Sequence, residues 1–292
     1  CPHCDVSLSQ HGSGAATRLV CHYCGYTTIQ PGLCPVCGSK YISGFKAGTQ
    51  KIEQVVKARF PQARVLRMDM DTTRTKDGYE QILSAFSNHE ADILIGTQMI
   101  VKGHDFPGVT LVGVLAADLS LYISDYRASE RTFQLLTQAA GRAGRGDIPG
   151  NVIIQTYDPD HYSITTAKEQ NYEAFYGQEI EYRKMMRYPP VWNMLYILCA
   201  SKNEAAASEA AVALMGKIDQ IVRENSEKIF PIGPSDAPVA KISDVYRKVI
   251  YVKPREYQTL VILKDGLEAF IKDNRLYQNV AVGFDFNPVN GF

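Results

Sequence analysis

Beyond residue 37 this sequence has almost no cysteine: Cys199 stands alone there, and the other six of its seven thiols lie in the first 37 residues. Isolated disulfides across the body of the chain are therefore excluded. An excess charge of one sign is also missing, since Lys and Arg total 31 and Asp and Glu total 31. Without a global basic field, any contact with nucleic acid has to come from a local patch or from polar loops. Long apolar runs are lacking as well. Stretches such as 109–117 and 194–200 fall far short of the ~20 residues that cross a bilayer, and no secretory leader precedes them, so no membrane is expected among its partners. Finally, there is no Gly-x-x-x-x-Gly-Lys-[Ser/Thr] phosphate loop and no Asp-Glu-x-His box; Gly216-Lys217 is followed by Ile218.

What is present begins with three Cys-x-x-Cys pairs: Cys1/Cys4, Cys21/Cys24 and Cys34/Cys37. Paired thiols in a chain otherwise poor in cysteine point to a reducing, cytoplasmic compartment and to metal binding. Zinc takes four thiolates, usually from two such turns brought together. Cys1, Cys4, Cys21 and Cys24 have the spacing of a zinc ribbon and make the preferred site; pairing Cys21/Cys24 with Cys34/Cys37 across a shorter spacer is the alternative. On the preferred pairing Cys34 and Cys37 form half of a second site, whose partner pair is expected upstream in a longer protein from which this chain is cut. Four thiolates leave no open coordination position, so the metal is expected to staple a small module rather than catalyse. His3, His11 and His22 read as loop residues, with His22 the best substitute ligand.

From Lys40 to about Thr156 short apolar runs alternate with amphipathic stretches. Strands are expected at 41–45, 64–68, 92–96, 110–116 and 151–156, and helices at 50–60, 77–88 and 128–140. That alternation predicts a mostly parallel sheet covered on both faces, with the working loops beyond the carboxyl ends of its strands. Three segments are expected there. Gly48-Thr49 reads as a turn and N-cap. Gly96-Thr97-Gln98, running on to Lys102-Gly103-His104-Asp105, offers backbone amides and Thr, Gln and Lys side chains to phosphate oxygens. The most specific is Gln138-Ala139-Ala140-Gly141-Arg142-Ala143-Gly144-Arg145-Gly146, where Arg142 and Arg145 share one side of a helix end. Rigid, permanently charged guanidinium groups among glycines suit charge developing on a γ-phosphate.

A charged, aromatic helix at 172–187 should stop at Tyr188-Pro189-Pro190. Beyond it, strand 194–200, helix 204–224, an irregular Pro/Gly segment 230–238, strand 248–253, helix 257–274 and strand 280–286 give a small α+β domain in β-α-β-β-α-β order. Lys241, Arg247, Lys248, Lys253 and Arg255, interleaved with Tyr246, Tyr251 and Tyr257, read as a basic and aromatic cluster able to hold nucleic acid; a solvated sheet edge with core tyrosines explains it equally well.

In order and spacing the three loop segments resemble motifs IV, V and VI of superfamily 2 helicases. CPHC…CHYC…CPVC, GTQMIVKGHDFPGVTLVGVLAAD, RASERTFQLLTQAAGRAGR, Tyr188-Pro189-Pro190, Gly233-Pro234, Tyr246-Arg247-Lys248 and Asn287-Pro288-Val289-Asn290 narrow this to a resemblance, over essentially the whole chain, to the primosomal protein N′ (PriA) family of replication-restart helicases. The resemblance implies an α/β chain with a zinc ribbon (1–43), a RecA-like second helicase lobe with a mostly parallel sheet (44–165), a connecting helix (166–190) and an α+β C-terminal domain (191–292). It also implies two zinc sites in the full protein, of which Cys1, Cys4, Cys21 and Cys24 complete one and Cys34 and Cys37 supply half of the other. Gln138, Arg142 and Arg145 would face ATP with its magnesium, the arginines acting as fingers. Gly103, Asp105 and Gly141 would adjoin the nucleotide, and Thr97, Gln98 and Lys102 the DNA strand. The implied activity is that of an ATP-dependent 3′-to-5′ DNA helicase that recognises stalled or branched forks and promotes primosome assembly. Branched and single-stranded DNA, single-stranded-DNA-binding protein and other primosome components are its implied partners. This chain, without phosphate loop or metal-holding acid, is expected to be inactive alone. The competing reading is a non-motor zinc-ribbon adaptor with a degenerate lobe.

Overall fold

The computed structural model describes residues 1–11, 18–34, 37–40, 48–70, 72–73, 77–101, 106–145, 148–224 and 228–289. They divide into two compact units, one of 1–40, 124–126 and 176–292, the other of 41–123 and 127–175. Among the described residues no helix is long and apolar enough to cross a membrane.

In the first unit, β1 (Ser9–His11), β2 (Arg18–Val20) and β3 (Thr27–Ile29) form a small antiparallel sheet around the cysteine pairs. With so few apolar residues, this ribbon has little core of its own. The rest is a four-stranded antiparallel sheet: β8 (Leu195–Ser201), β9 (Phe230–Ile242), β10 (Val245–Lys253) and β11 (Ala281–Phe286), in the order β11-β8-β10-β9. Helices α6 (Glu204–Glu224) and α7 (Tyr257–Lys272) follow β8 and β10, giving the expected β-α-β-β-α-β order. Register decides which side chains meet the helices. Leu195, Ile197 and Cys199 face Val252, Ile250 and Lys248 across the ladder, and all but Lys248 join one core with Ala210, Ala211, Leu214 and Ile218 of α6 and Leu260, Leu263 and Leu267 of α7. The three- and four-residue spacings on each helix are those of one buried stripe. Truncating Leu263, which is fully buried, should cost about 2–5 kcal/mol.

One expectation fails in this unit. Residues 230–238 are not irregular but open the 13-residue strand β9. Pro231, Pro234 and Pro238 are tolerated because β9 is an edge strand, where an absent N–H need not break a ladder.

Among the described residues the second unit holds two parallel strand pairs. β4 (Val65–Met68) pairs with β5 (Ile93–Gly96), and β6 (Leu111–Val114) with β7 (Asn151–Ile154). Around them lie α1 (Thr49–Arg59), α2 (Gly78–Ser87), α3 (Ala128–Ala140) and α4 (Tyr162–Lys168). Each pair has its own apolar cluster, Met68, Leu83 and Phe106 with the first, and Ala117, Phe133, Leu136 and Ile164 with the second. The expected strand at 41–45 lies outside the described residues. Helix α5 (Tyr172–Met186) ends just before Tyr188-Pro189-Pro190, as the prolines require.

Candidate functional site: four thiols and an arginine loop

The Sγ atoms of Cys1, Cys4, Cys21 and Cys24 all lie within 4.8 Å of one another, and those of Cys1 and Cys24 are 3.5 Å apart. Four thiolates at tetrahedral zinc distance stand about 3.8 Å apart, so the cluster fits that ion and no ligand has to move far. Cys4 and Cys21 are buried while Cys1 and Cys24 are partly exposed. The second pair is held in a tight turn: the Cys21 amide donates to Tyr26 O at 2.8 Å, the Gly25 amide donates to Cys21 O at 3.0 Å, and Gly25 has φ +77°. That left-handed position favours glycine. Backbone donation within the turn, from Cys24 first, pulls the Cys21 thiol down to about 7, toward the thiolate a metal needs.

Cys34 and Cys37 do not join this group. Their turn nevertheless repeats the same bonds: Cys34 N donates to Ser39 O at 2.9 Å, Gly38 N donates to Cys34 O at 2.8 Å, and Gly38 has φ +69°. The bonds that flank Cys21/Cys24 are thus repeated at Cys34, Gly38 and Ser39. His22 is not drawn into the thiol group; its Nε2 sits 3.3 Å from Nε2 of His11.

In the other unit, β5 ends at Gly96 and delivers Thr97 and Gln98 to the surface at the start of a short 3-10 turn, Gln98–Val101. Glycine is required at 96 because a Cβ there would come within 2.5 Å of Ile100 and 2.7 Å of the Met68 carbonyl. Helix α3 packs against this turn and against β6, burying Phe133, Leu136 and Ala139 and leaving Gln138 exposed. At its end Arg142 is partly buried and Arg145 is exposed, with Arg145 Nε donating to Gly141 O at 2.6 Å. Lys102, Gly103 and Asp105 lie outside the described residues.

The arginine loop corrects one expectation. It does not lie beyond the carboxyl end of a strand. The Gly144 amide donates to Val109 O at 3.0 Å and the Asn151 amide to Thr110 O at 2.8 Å, which fastens the loop at the amino ends of β6 and β7. Gly144 has φ +73°, and a Cβ on it would meet the Gly150 nitrogen at 2.5 Å. Gly144 and Gly150 thus let two stretches of main chain lie against each other beside the arginines.

Thr49 also departs from its expected role. Its hydroxyl does not cap α1, whose N-cap Gly48 has no side-chain bond, but donates at 2.5 Å to the Asp69 carboxylate at the end of β4. Sequence reasoning missed Asp118. Buried just past β6, it accepts from the Thr156 hydroxyl and from the amides of Tyr157 and Asp158 at 3.0 and 3.3 Å, and these bonds, Thr156 first, hold its carboxyl below the usual range. It ties the exits of β6 and β7 together. The run Ala116-Ala117-Asp118, closing a strand with a buried acid, was the available signal.

The expected basic and aromatic cluster is divided. Lys248 lies on the helix-bearing side and pairs with Asp236, while Arg247, whose Nη1 donates to Val239 O at 3.2 Å, lies on the other. Lys253 is buried, with its ammonium 3.8 Å from the Tyr188 ring centroid. Alternation along β10 separates what the sequence places side by side.

Three family models match consecutive parts of the chain. One, described as the PriA DNA helicase Cys-rich region domain, covers residues 1–28. The helicase conserved C-terminal domain covers 40–147, and the primosomal protein N C-terminal domain covers 184–289. Among relatives, the replication restart protein PriA of Bacillus subtilis is 46% identical over 292 residues, 99% of this chain and 35% of that protein. Those of Synechocystis and Chlamydia pneumoniae are 44% and 41% identical over 256 residues, 87% of this chain and 30% and 33% of theirs. The chain thus spans about a third of the length of the curated relatives it matches.

Proposed function

Because this chain belongs to the PriA family of replication restart proteins and carries that family's C-terminal domains, we propose that it supplies the second motor lobe, zinc ribbon and C-terminal domain of an ATP-dependent 3′-to-5′ DNA helicase acting at stalled or branched forks. The observation that carries this reading is the arginine loop. Arg142 and Arg145 leave the end of α3 in a loop pinned by the Gly144 amide to Val109, in the segment that follows Thr97 and Gln98. In the whole protein these guanidinium groups would meet the phosphoryl oxygens of ATP held by the other lobe. Their fixed charge would stabilise the transferring group there. Gln138 would face the same nucleotide from the last turn of α3, and Gly103, Asp105 and Gly141 would line its approach. Thr97, Gln98 and Lys102 would contact the DNA backbone. Since α3 packs on the Gln98–Val101 turn, a displacement of the arginines would be passed directly to the DNA-facing turn.

The boundaries proposed for these parts are 1–43, 44–165, 166–190 and 191–292. Zinc at Cys1, Cys4, Cys21 and Cys24 would close the ribbon, and Cys34 and Cys37 would hold a second ion together with another pair. Branched DNA, single-stranded-DNA-binding protein and primosome components are the proposed partners, in the cytoplasm, where thiolates stay reduced. A degenerate adaptor would have no use for an intact Gln138-x-x-x-Arg142-x-x-Arg145 series.

The test is Arg142→Ala in the parent helicase. DNA-stimulated phosphate release should fall by about 10³ or more, with DNA affinity and melting temperature unchanged. Near-normal turnover would remove the arginine from the reaction. The 292-residue chain itself should release no phosphate from ATP.

A further inference from the structure

Residues far apart in sequence meet at the four-thiol cluster. β9 and β10 are joined by a two-residue turn, Ser243-Asp244, with φ +51° and +61°. A turn with both central residues in the left-handed region matches the twist of a hairpin, and Asn-Gly is its usual occupant. Here neither position is Gly or Asn, and what the strained turn does is aim two successive amides at the ribbon. Ser243 N donates to Cys4 Sγ at 3.2 Å, and Asp244 N donates to His3 O at 2.8 Å. The contact extends along both chains. Asp5 N donates to Lys241 O at 2.8 Å, Lys241 Nζ to Pro2 O at 3.0 Å, and the His3 ring nitrogen lies 2.7 Å from the Asp244 carboxylate.

We propose that the Ser243-Asp244 turn is the outer shell of the metal centre, so that the C-terminal domain is latched to the ribbon only when the metal is bound. The inference rests on the zinc reading of the four cysteines. Four thiolates carry more charge than one dication cancels, and amides directed at the sulfurs disperse the remainder. Such outer partners set both ligand orientation and metal affinity. Cys4 is buried and its thiolate has the Ser243 amide at hydrogen-bond distance. The metal fixes that sulfur in place. Once it leaves, the ribbon loses the closure on which its fold depends, and the amide loses its acceptor. The occupancy of the ribbon is thereby communicated to β10, an inner strand of the C-terminal sheet.

Hydrogen exchange read by mass spectrometry on the whole chain tests this, with zinc content measured on the same samples before and after a chelator. Stripping zinc should speed exchange at Ser243, Asp244 and Asp5 about tenfold or more, while peptides from β8, α6 and α7 keep their protection. Zinc bound at one ion per chain with the turn's exchange unchanged on stripping overturns the latch and leaves the metal site standing. Less than one zinc per chain overturns the metal reading itself. A rise spread evenly through α6 and α7 also overturns the latch, because the effect would then be general unfolding. A variant supplies a second measurement. Asp244→Gly keeps the positive φ and the amides but removes the carboxylate beside His3, and should hasten zinc transfer to a chromogenic chelator roughly tenfold; an unaltered transfer rate removes the Asp244 carboxylate from the shell around the ion.

Discussion

Gly141 and Gly144 sit three residues apart in the arginine loop, and the structure assigns them opposite responses to the same methyl group. At Gly141 φ is −67° and an added Cβ would lie 3.4 Å from the Thr137 carbonyl, an ordinary contact. Gly141→Ala lowers the entropy of the unfolded chain and extends a good helix former, so stability should hold or rise by about 0.5 kcal/mol. At Gly144 φ is +73° and the Cβ would meet the Gly150 nitrogen at 2.5 Å. The left-handed backbone costs an alanine about 1–2 kcal/mol. The clash is with main chain, which has no rotamer to move into, and relieving it strains the Gly144 to Val109 bond, worth about 1 kcal/mol. Gly144→Ala should therefore destabilise by about 2–3 kcal/mol in urea titrations of this chain that follow the second unit. If Gly141 adjoins the nucleotide as proposed, Gly141→Ala in the whole protein should slow ATP turnover without loss of stability. Equal stability losses at the two positions, or a neutral Gly144→Ala, would refute the reasoning from backbone geometry.

Further outcomes are expected elsewhere. One zinc per chain should be bound by this sequence, and Cys21→Ser should abolish it while Cys34→Ser leaves it unchanged; metal analysis of the purified proteins decides between these. Lys253 should make stability depend on pH. Burial first, and then Arg187, lower its pKa to about 8, below the ordinary value, so the unfolded chain binds the extra proton between about 8 and 10.5. The cost of charging the buried amine is complete below pH 8 and is relieved as pH rises through that window. Its ceiling is roughly 3 kcal/mol, reduced by the Tyr188 ring and by the bond to Met186 O at 3.1 Å. Lys253→Met should gain most over the wild type near pH 7 and lose that advantage by about pH 10.5 in denaturant titrations; a difference independent of pH contradicts the assignment.

Local patterns settled much of this molecule in advance. The Cys-x-x-Cys pairs announced a metal module because thiolate ligands come in tight turns whose spacing is written in the chain. Helices at 49–59, 78–87 and 128–140 and the strands between them followed from periodicity, which depends on near neighbours alone. The arginine series was legible as a motif, but α3 ends at Ala140, so the two arginines leave it in a loop, Arg142 partly buried and Arg145 exposed, instead of sharing a helix face. Tertiary structure decided what distant residues impose. The prolines of 230–238 became a strand because the segment lies at a sheet edge, which only the strand order reveals. The basic residues of β10 were parted by the pleat once one face had helices to cover it. The arginine loop went to the amino ends of β6 and β7 because the Gly144 and Asn151 amides found carbonyls there. Asp118 became a brace between two strand exits, and Ser243 reached the sulfur of Cys4, since only folding brings groups so far apart in the chain within hydrogen-bonding distance.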